Sequence, residues 1–371
     1  MRQFYASPRI LYLCNTTFFY YSIFALSTAF FEFLHFSRAH MPPNNKPSFE
    51  TEIHYVDNGD GGQIHCEYFY STSKETPSAK NGVVFLVDGV CNNGFQFEAF
   101  IDRCVRTHCV IRFDYRGHGR SSNASGKTPL TVNACVSDMK TVLEHFYGTH
   151  PKLKKKVTLI SYSLGAQVAL KFASEEVERV NGVGIVNGTL EPAFYGLFRS
   201  EMLSDGIIRA LRWSSTFQLF VAFWIRVGMV LLSLNGFFSS LLASYFVKAS
   251  AKNFKPFWKH ARRVQARSYI SFLVDAHSKV CLDILEYLGS AGVDMPLFCI
   301  VGMKDTLVRT EKTVDMVHRI APECEICKVK DGCHALLVHD KHKEQTARVL
   351  VEFANRCALD VDKAIVNGIL G

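Results

Sequence analysis

Charge is scarce in this 371-residue chain, at 20% of residues against 48% hydrophobic ones. A chain so rich in apolar side chains can bury enough surface to fold, which excludes an intrinsically disordered protein. It also lacks internal repeats and low-complexity tracts, which sets repeat architectures aside. A disulfide framework is missing too: the 12 cysteines are scattered through apolar segments, and a chain of this length needs no staples. They read as reduced thiols, which puts the folded domain on the reducing, cytosolic side and leaves little meaning in the sequons at Asn123 and Asn187. Cys324 and Cys327 form a Cys-x-x-Cys without a second pair nearby, on a segment that reads as a strand; its two side chains would face opposite sides, away from any shared zinc. No metal or organic cofactor is implied. The net charge of +8, from 42 basic and 34 acidic residues, is modest and spread widely. Nucleic acid is therefore not indicated, and an anionic membrane surface is the better partner.

Two apolar segments stand out. From Ile10 to Phe31 the chain is almost wholly apolar or aromatic, preceded by Arg2 and Arg9. A spanning helix needs about 20 such residues. No small-x-small cleavage site precedes Glu32, so a retained membrane anchor is expected over a removed signal peptide, with orientation open because Arg38 and Lys46 follow. A plain extension, or a start at Met41, is the alternative. The second segment, Phe217 to Val247, runs into Lys248, Lys252, Lys255, Lys259, Arg262, Arg263 and Arg267, interleaved with Phe254, Phe257 and Trp258. That pattern suits a helix in the membrane interface; it suits equally a helix packed over a hydrophobic acyl pocket. Both imply a lipid-like substrate.

The remainder reads as one large α/β domain. A Pro/Asn-rich linker at Met41 to Pro47 leads into two alternating stretches, Glu50 to Asp57 and Gln63 to Tyr70, a hairpin around a Gly-rich turn. Short buried runs follow at 83–87, 109–113, 157–161, 183–186 and 297–301, separated by helix-length segments, which argues a parallel sheet. The helix expected from Thr131 aligns Val132, Val136, Met139, Leu143 and Phe146 on one stripe. The domains are then an N-terminal hydrophobic segment over 1–40, a core of 48–190 and 291–371, and a helical apolar insertion, a cap or lid, over 191–290.

The chemistry is concentrated at Val157 to Ala166. A strand enters a tight turn at Ser163 and passes straight into a helix, with small residues at Ser161 and Gly165, two before and two after. A nucleophile on such a turn sits in a strained backbone, at a cost of about 1–3 kcal/mol, with neighbouring backbone pressed close. Gly165, Ala169 and Ala173, one turn apart, let the helix lie near the sheet with its N-terminus aimed at the serine, where developing negative charge is stabilised.

With this strand–turn–helix the chain resembles the α/β-hydrolase superfamily, whose elbow is usually Gly-x-Ser-x-Gly and here is Ser161-Tyr162-Ser163-Leu164-Gly165. Asp114-Tyr115-Arg116-Gly117-His118-Gly119-Arg120-Ser121 is similar to another stretch of that family, a structural turn in which neither Asp114 nor His118 is expected to react. The resemblance runs from about Val83 to Phe353, outside the insertion. It implies an α/β-hydrolase fold, a mostly parallel central sheet flanked by helices with an inserted helical apolar cap. It also implies a serine hydrolase of the monoacylglycerol-lipase-like and lysophospholipase-like esterase branch, with Ser163 as nucleophile, His334 as base and Asp305 as the acid that orients it. Asp305 ends the run after 297–301; His334 lies in a Gly-x-His loop after Ile326 to Val329; Asp294, a competing acid, precedes its strand and would emerge at the wrong edge. The oxyanion hole is expected from the backbone N–H groups of Val90 and Leu164, although Asp88 stands where the family has His and could distort the loop or repel an anionic substrate. The expected reaction is cleavage of lipid-like carboxylic esters through an acyl-serine. An acyltransferase with the same triad, or a non-catalytic membrane-bound lipid-binding or scaffold protein of this fold, is the alternative.

Overall fold

The computed structural model describes residues 49–71, 82–90, 92–122, 129–153, 156–234, 257, 260–261, 264–277, 280–290 and 295–370. The expected anchor at 10–31, the linker, the sequon at Asn123, Asp294 and most of the basic run 248–263 lie outside the described residues. In chain order the strands are β1 (Phe49–Asp57), β2 (Gln63–Ser71), β3 (Val83–Val87), β4 (Cys109–Phe113), β5 (Val157–Tyr162), β6 (Val180–Val186), β7 (Leu297–Gly302) and β8 (Glu325–Val329). The helices are α1 (Glu98–Cys104), α2 (Val132–Thr149), α3 (Gly165–Glu175), α4 (Ala193–Phe198), α5 (Glu201–Trp213), α6 (Ser215–Leu234), α7 (Ala266–Ala276), α8 (Val280–Ser290), α9 (Thr310–Ile320) and α10 (Lys343–Leu370).

The strands form one eight-stranded sheet in the order β1-β2-β4-β3-β5-β6-β7-β8. β1 pairs antiparallel with β2 and β2 antiparallel with β4, while every other pair is parallel. The central strands β3, β5 and β6 are almost wholly buried, as continuous apolar runs covered by helices on both faces must be. One face carries α2, α3 and α8 over Phe85, Ile111, Leu159 and Ile185; the other carries α1 and α10 over Val84, Leu86, Ile160 and Ile300. The stripe on α2 is buried as the periodicity predicts, and Thr131 caps that helix by accepting from the Ala134 N–H at 3.0 Å.

The last two helices of the expected insertion, α7 and α8, pack on the sheet's main core. Phe272 and Ala276 on α7, and Ile284, Leu285 and Leu288 on α8, are buried in the main core, and α8 packs along α3. On α7, Ser271 and Asp275 accept hydrogen bonds from the Leu130 and Val132 N–H groups at 3.0 and 2.7 Å. Among the described residues no helix is long and apolar enough to cross a membrane.

Candidate active site

With Leu164 already in the helical region, the end of β5 at Tyr162 and the start of α3 at Gly165 leave Ser163 to turn the chain. It does so at φ 53°, in the left-handed region that non-glycine residues avoid. Three backbone bonds hold it there: its N–H donates to the Val186 carbonyl at 3.0 Å, and its own carbonyl accepts from Ala166 and Thr189 at 3.1 and 3.0 Å. Ser161 replaces the customary glycine without strain, fully buried, its hydroxyl donating to the Gly184 carbonyl at 3.2 Å. Gly165 is indispensable by geometry, since a Cβ there would lie 2.3 Å from the Asp88 carbonyl oxygen and 2.4 Å from that of Val87.

The structure brings the three side chains singled out in the sequence together from three strand ends. His334 Nε2 lies 3.0 Å from Ser163 Oγ, and His334 Nδ1 lies 2.8 Å from Asp305 Oδ2. Ser163 is half-buried, whereas His334 and Asp305 are buried. The other carboxylate oxygen of Asp305 accepts the N–H groups of Leu307 and Val308 at 2.7 and 3.0 Å, so the carboxylate is fixed and one oxygen is left for the imidazole. The histidine loop is tied to the acid loop as well. Lys304 N–H donates to the Gly332 carbonyl at 2.8 Å, and a Cβ on Gly302 would meet the Gly332 and Cys333 carbonyls at 2.7 and 2.8 Å.

Two positioning residues escaped the sequence reading. Asn187, just past β6 at φ 45° and buried, donates from Nδ2 to the Cys333 and His334 carbonyls at 2.9 and 2.8 Å and accepts the Gly302 N–H on Oδ1 at 2.7 Å. One amide thus brackets the acid strand and the histidine loop. Although Asn187 opens a sequon, its burial keeps it from glycosylation in the folded chain. Tyr162 adds a hydroxyl bond to the His334 carbonyl at 3.0 Å.

The loop after β3 lies beside Ser163: a Cβ on Gly89 would be 3.1 Å from Ser163 Cβ. Val90 follows Gly89 and Leu164 follows Ser163, so the two residues expected as oxyanion donors lie on the two segments that meet here. Asp88, the departure in this loop, turns its carboxylate into the loop itself. It accepts the Gly89 and Gly94 N–H groups at 2.6 and 2.5 Å and the Gln96 side-chain amide, while its carbonyl accepts the Tyr115 hydroxyl at 2.7 Å. Burial pushes its carboxyl up from 3.8 to about 7, against the lowering effect of the Gly94 and Gly89 N–H groups. The folded state therefore holds a proton that the unfolded chain releases, and stability from this group falls as pH rises from about 4 to about 7. Asp88→Asn is expected to flatten that part of the curve of thermal midpoint against pH. Parallel curves for the two proteins would show that Asp88 does not titrate there.

Asp114 and His118 take part in a turn: Asp114 accepts from the Arg120 N–H at 2.9 Å and lies 3.1 Å from the His65 ring. Beside them Arg116 forms a buried pair with Asp138 at 2.5 and 2.9 Å. Cys324, just ahead of β8, meets Cys299 of β7 at 3.6 Å between sulfurs, and among the described residues no three candidate ligands converge as a metal site would need. Residues between β6 and β7 touch both loops of the site. Arg199 donates to the Asp305 carbonyl at 3.2 Å, while Ala261 and Val264 pack with Phe257 against Val90.

A doubly wound sheet with a serine on its central strand-to-helix turn, and an acid and a histidine delivered from the ends of the last two strands, β7 and β8, is the arrangement of an α/β-hydrolase fold. A family model described as "Serine aminopeptidase, S33" matches residues 78–219. A Bacillus subtilis protein named "Putative 2-succinyl-6-hydroxy-2,4-cyclohexadiene-1-carboxylate synthase" is 27% identical over 164 residues, 43% of this chain and 56% of that protein. The human "Protein ABHD8" is 28% identical over 140 residues, 36% of this chain and 30% of that protein. The chain thus spans little more than half of one relative's length and less than a third of the other's. Among solved structures, an esterase from Exiguobacterium antarcticum superimposes with a TM-score of 0.61 at 17% identity, covering 81% of this chain and 98% of that one. A thermophilic esterase from Thermogutta terrifontis gives 0.60 at 16% identity over 83% and 99%. At such identities these two speak for the fold.

Proposed function

We propose that the protein hydrolyses carboxylic esters through an acyl-Ser163 intermediate. The observation that carries this is the continuous chain from Asp305 Oδ2 through His334 to Ser163 Oγ, with contacts of 2.8 and 3.0 Å. His334 Nε2 takes the hydroxyl proton as Oγ adds to the ester carbonyl carbon. Asp305 holds Nδ1–H and stabilises the imidazolium. The negative charge on the former carbonyl oxygen is met by the Val90 and Leu164 N–H groups and the N-terminus of α3. Collapse breaks the bond to the alcohol, which leaves with the proton from His334. Water, deprotonated in turn by the same ring, adds to the acyl carbon and releases the acid and free Ser163. No step calls on a metal or organic cofactor.

The substrate class we infer is a lipid-like acyl ester, a long-chain acylglycerol or lysophospholipid. The apolar insertion that meets both site loops supports it, because a long acyl chain needs an apolar bed next to the reacting carbonyl. Full-length protein assayed on 4-nitrophenyl esters from acetyl to palmitoyl is expected to show kcat/KM rising with acyl length, by about tenfold for each two methylenes held until the bed is filled. A preference for acetate would remove the lipid substrate and leave the esterase; no turnover of any ester by folded protein would remove both.

A further inference from the structure

The helix α6 wears its apolar residues on the wrong side for a soluble protein. Its inner face packs Ala222, with Val221 and Ile225, against Ile208, Leu211 and Ile270. Opposite, Phe217, Phe220, Phe223, Trp224 and Leu231 fall within an arc of about 120° at 3.6 residues per turn. They are 38%, 58%, 60%, 53% and 47% exposed. Trp213, at the junction with α5, is 91% exposed. The one ionic side chain of α6, Arg226, lies off this arc and donates to the Val264 carbonyl at 2.9 Å. Arg209, Arg212 and Arg267 are exposed on the neighbouring α5 and α7.

The stretch of sequence that carries the stripe has charge of one sign. From Gly206 to Val274 the sequence contains no Asp or Glu, but it contains Arg209, Arg212, Arg226, Lys248, Lys252, Lys255, Lys259, Arg262, Arg263 and Arg267. We propose that the outward face of α6 is a docking surface for an anionic lipid bilayer, with its phenylalanines and Trp224 in the acyl boundary and Arg209, Arg212 and Arg267 of the neighbouring helices at the headgroups. Tryptophan and phenylalanine beside Lys and Arg is the composition that an interfacial helix needs, and anionic headgroups supply the counter-charge. Other occupants fit the charge less well. A second copy related by a two-fold axis would set this cationic surface against itself. The apolar segment at 10–31 has no carboxylate to offer and is itself preceded by Arg2 and Arg9. This surface does not depend on the ester chemistry.

The chain has three tryptophans, Trp213, Trp224 and Trp258, so Trp224 can be isolated by Trp213→Phe and Trp258→Phe in the full-length protein. The emission of Trp224 would be compared in phosphatidylcholine/phosphatidylserine vesicles with brominated or ordinary acyl chains, with the thermal midpoint as the check of fold. At least a twofold loss of emission in the brominated vesicles is expected, smaller in pure phosphatidylcholine and at high salt. Equal emission from both kinds of vesicle, in protein that floats with them, would overturn the proposal, since another segment would then be holding the lipid. Failure to float would overturn it as well.

Discussion

Replacing Ser163 by alanine is expected to lower ester turnover by about 10⁴-fold or more, with little change in thermal midpoint. The loss falls on kcat because Oγ makes its bond to the substrate only as the reaction proceeds. Among the described residues the 3.0 Å contact to His334 is the side-chain hydrogen bond it surrenders, and the strained φ of 53° is kept by the same three backbone bonds. His334→Ala should cost a similar factor, and the double variant scarcely more than either single one, because nucleophile and base act as a unit. If Ser163→Ala kept turnover within tenfold of the parent, the nucleophile would lie elsewhere. If the two losses multiplied, the residues would be acting independently.

Gly165→Ala is the second large effect, and it acts through backbone. The new Cβ would lie 2.3 and 2.4 Å from the Asp88 and Val87 carbonyl oxygens, a separation that no rotamer can relieve. Either α3 backs away and takes the Leu164 N–H with it, or the loop after β3 shifts and moves Val90. Both open the oxyanion site, so a loss of about 10²- to 10³-fold in kcat is expected, together with about 2–3 kcal/mol of stability from overpacking. Gly148→Ala provides the control. It lies on α2 with nothing within 4 Å of its Cβ, and the gain in helix propensity should stabilise the fold by about 0.5–1 kcal/mol. Steady-state kinetics and thermal melts of both variants test the pair. Unchanged kcat in Gly165→Ala would mean that close packing of α3 on this loop does not position the donors.

What could be read from the sequence, and what could not, divides along a physical line. Strands such as Val83–Val87 and Cys109–Phe113 were legible because a strand buried on both faces must be apolar throughout, and their bounds coincide with the runs. Ser163 and His334 were legible because the turns that present them constrain their neighbours, small residues around the serine and a glycine before the histidine loop. Asn187 was not, because its role exists only across three chain segments: Gly302, Cys333 and His334 are its partners, more than a hundred residues away. Asp88 looked like an acid aimed at the site. Its direction is set by the Gly94 N–H and the Gln96 amide, which only the folded loop brings round. The packing of α8 along α3 was not legible, because burial against a neighbouring helix and apolarity for any other reason leave the same mark on a sequence.

Peptide mapping by mass spectrometry after treatment of the folded, full-length protein with a fluorophosphonate tests the central claim most directly. The reagent phosphonylates a serine oxygen only where a base removes its proton. A single adduct on the peptide carrying Ser163, lost on prior heat denaturation and in His334→Ala, is the predicted result. An adduct on a different residue, or none on folded protein, would contradict the account.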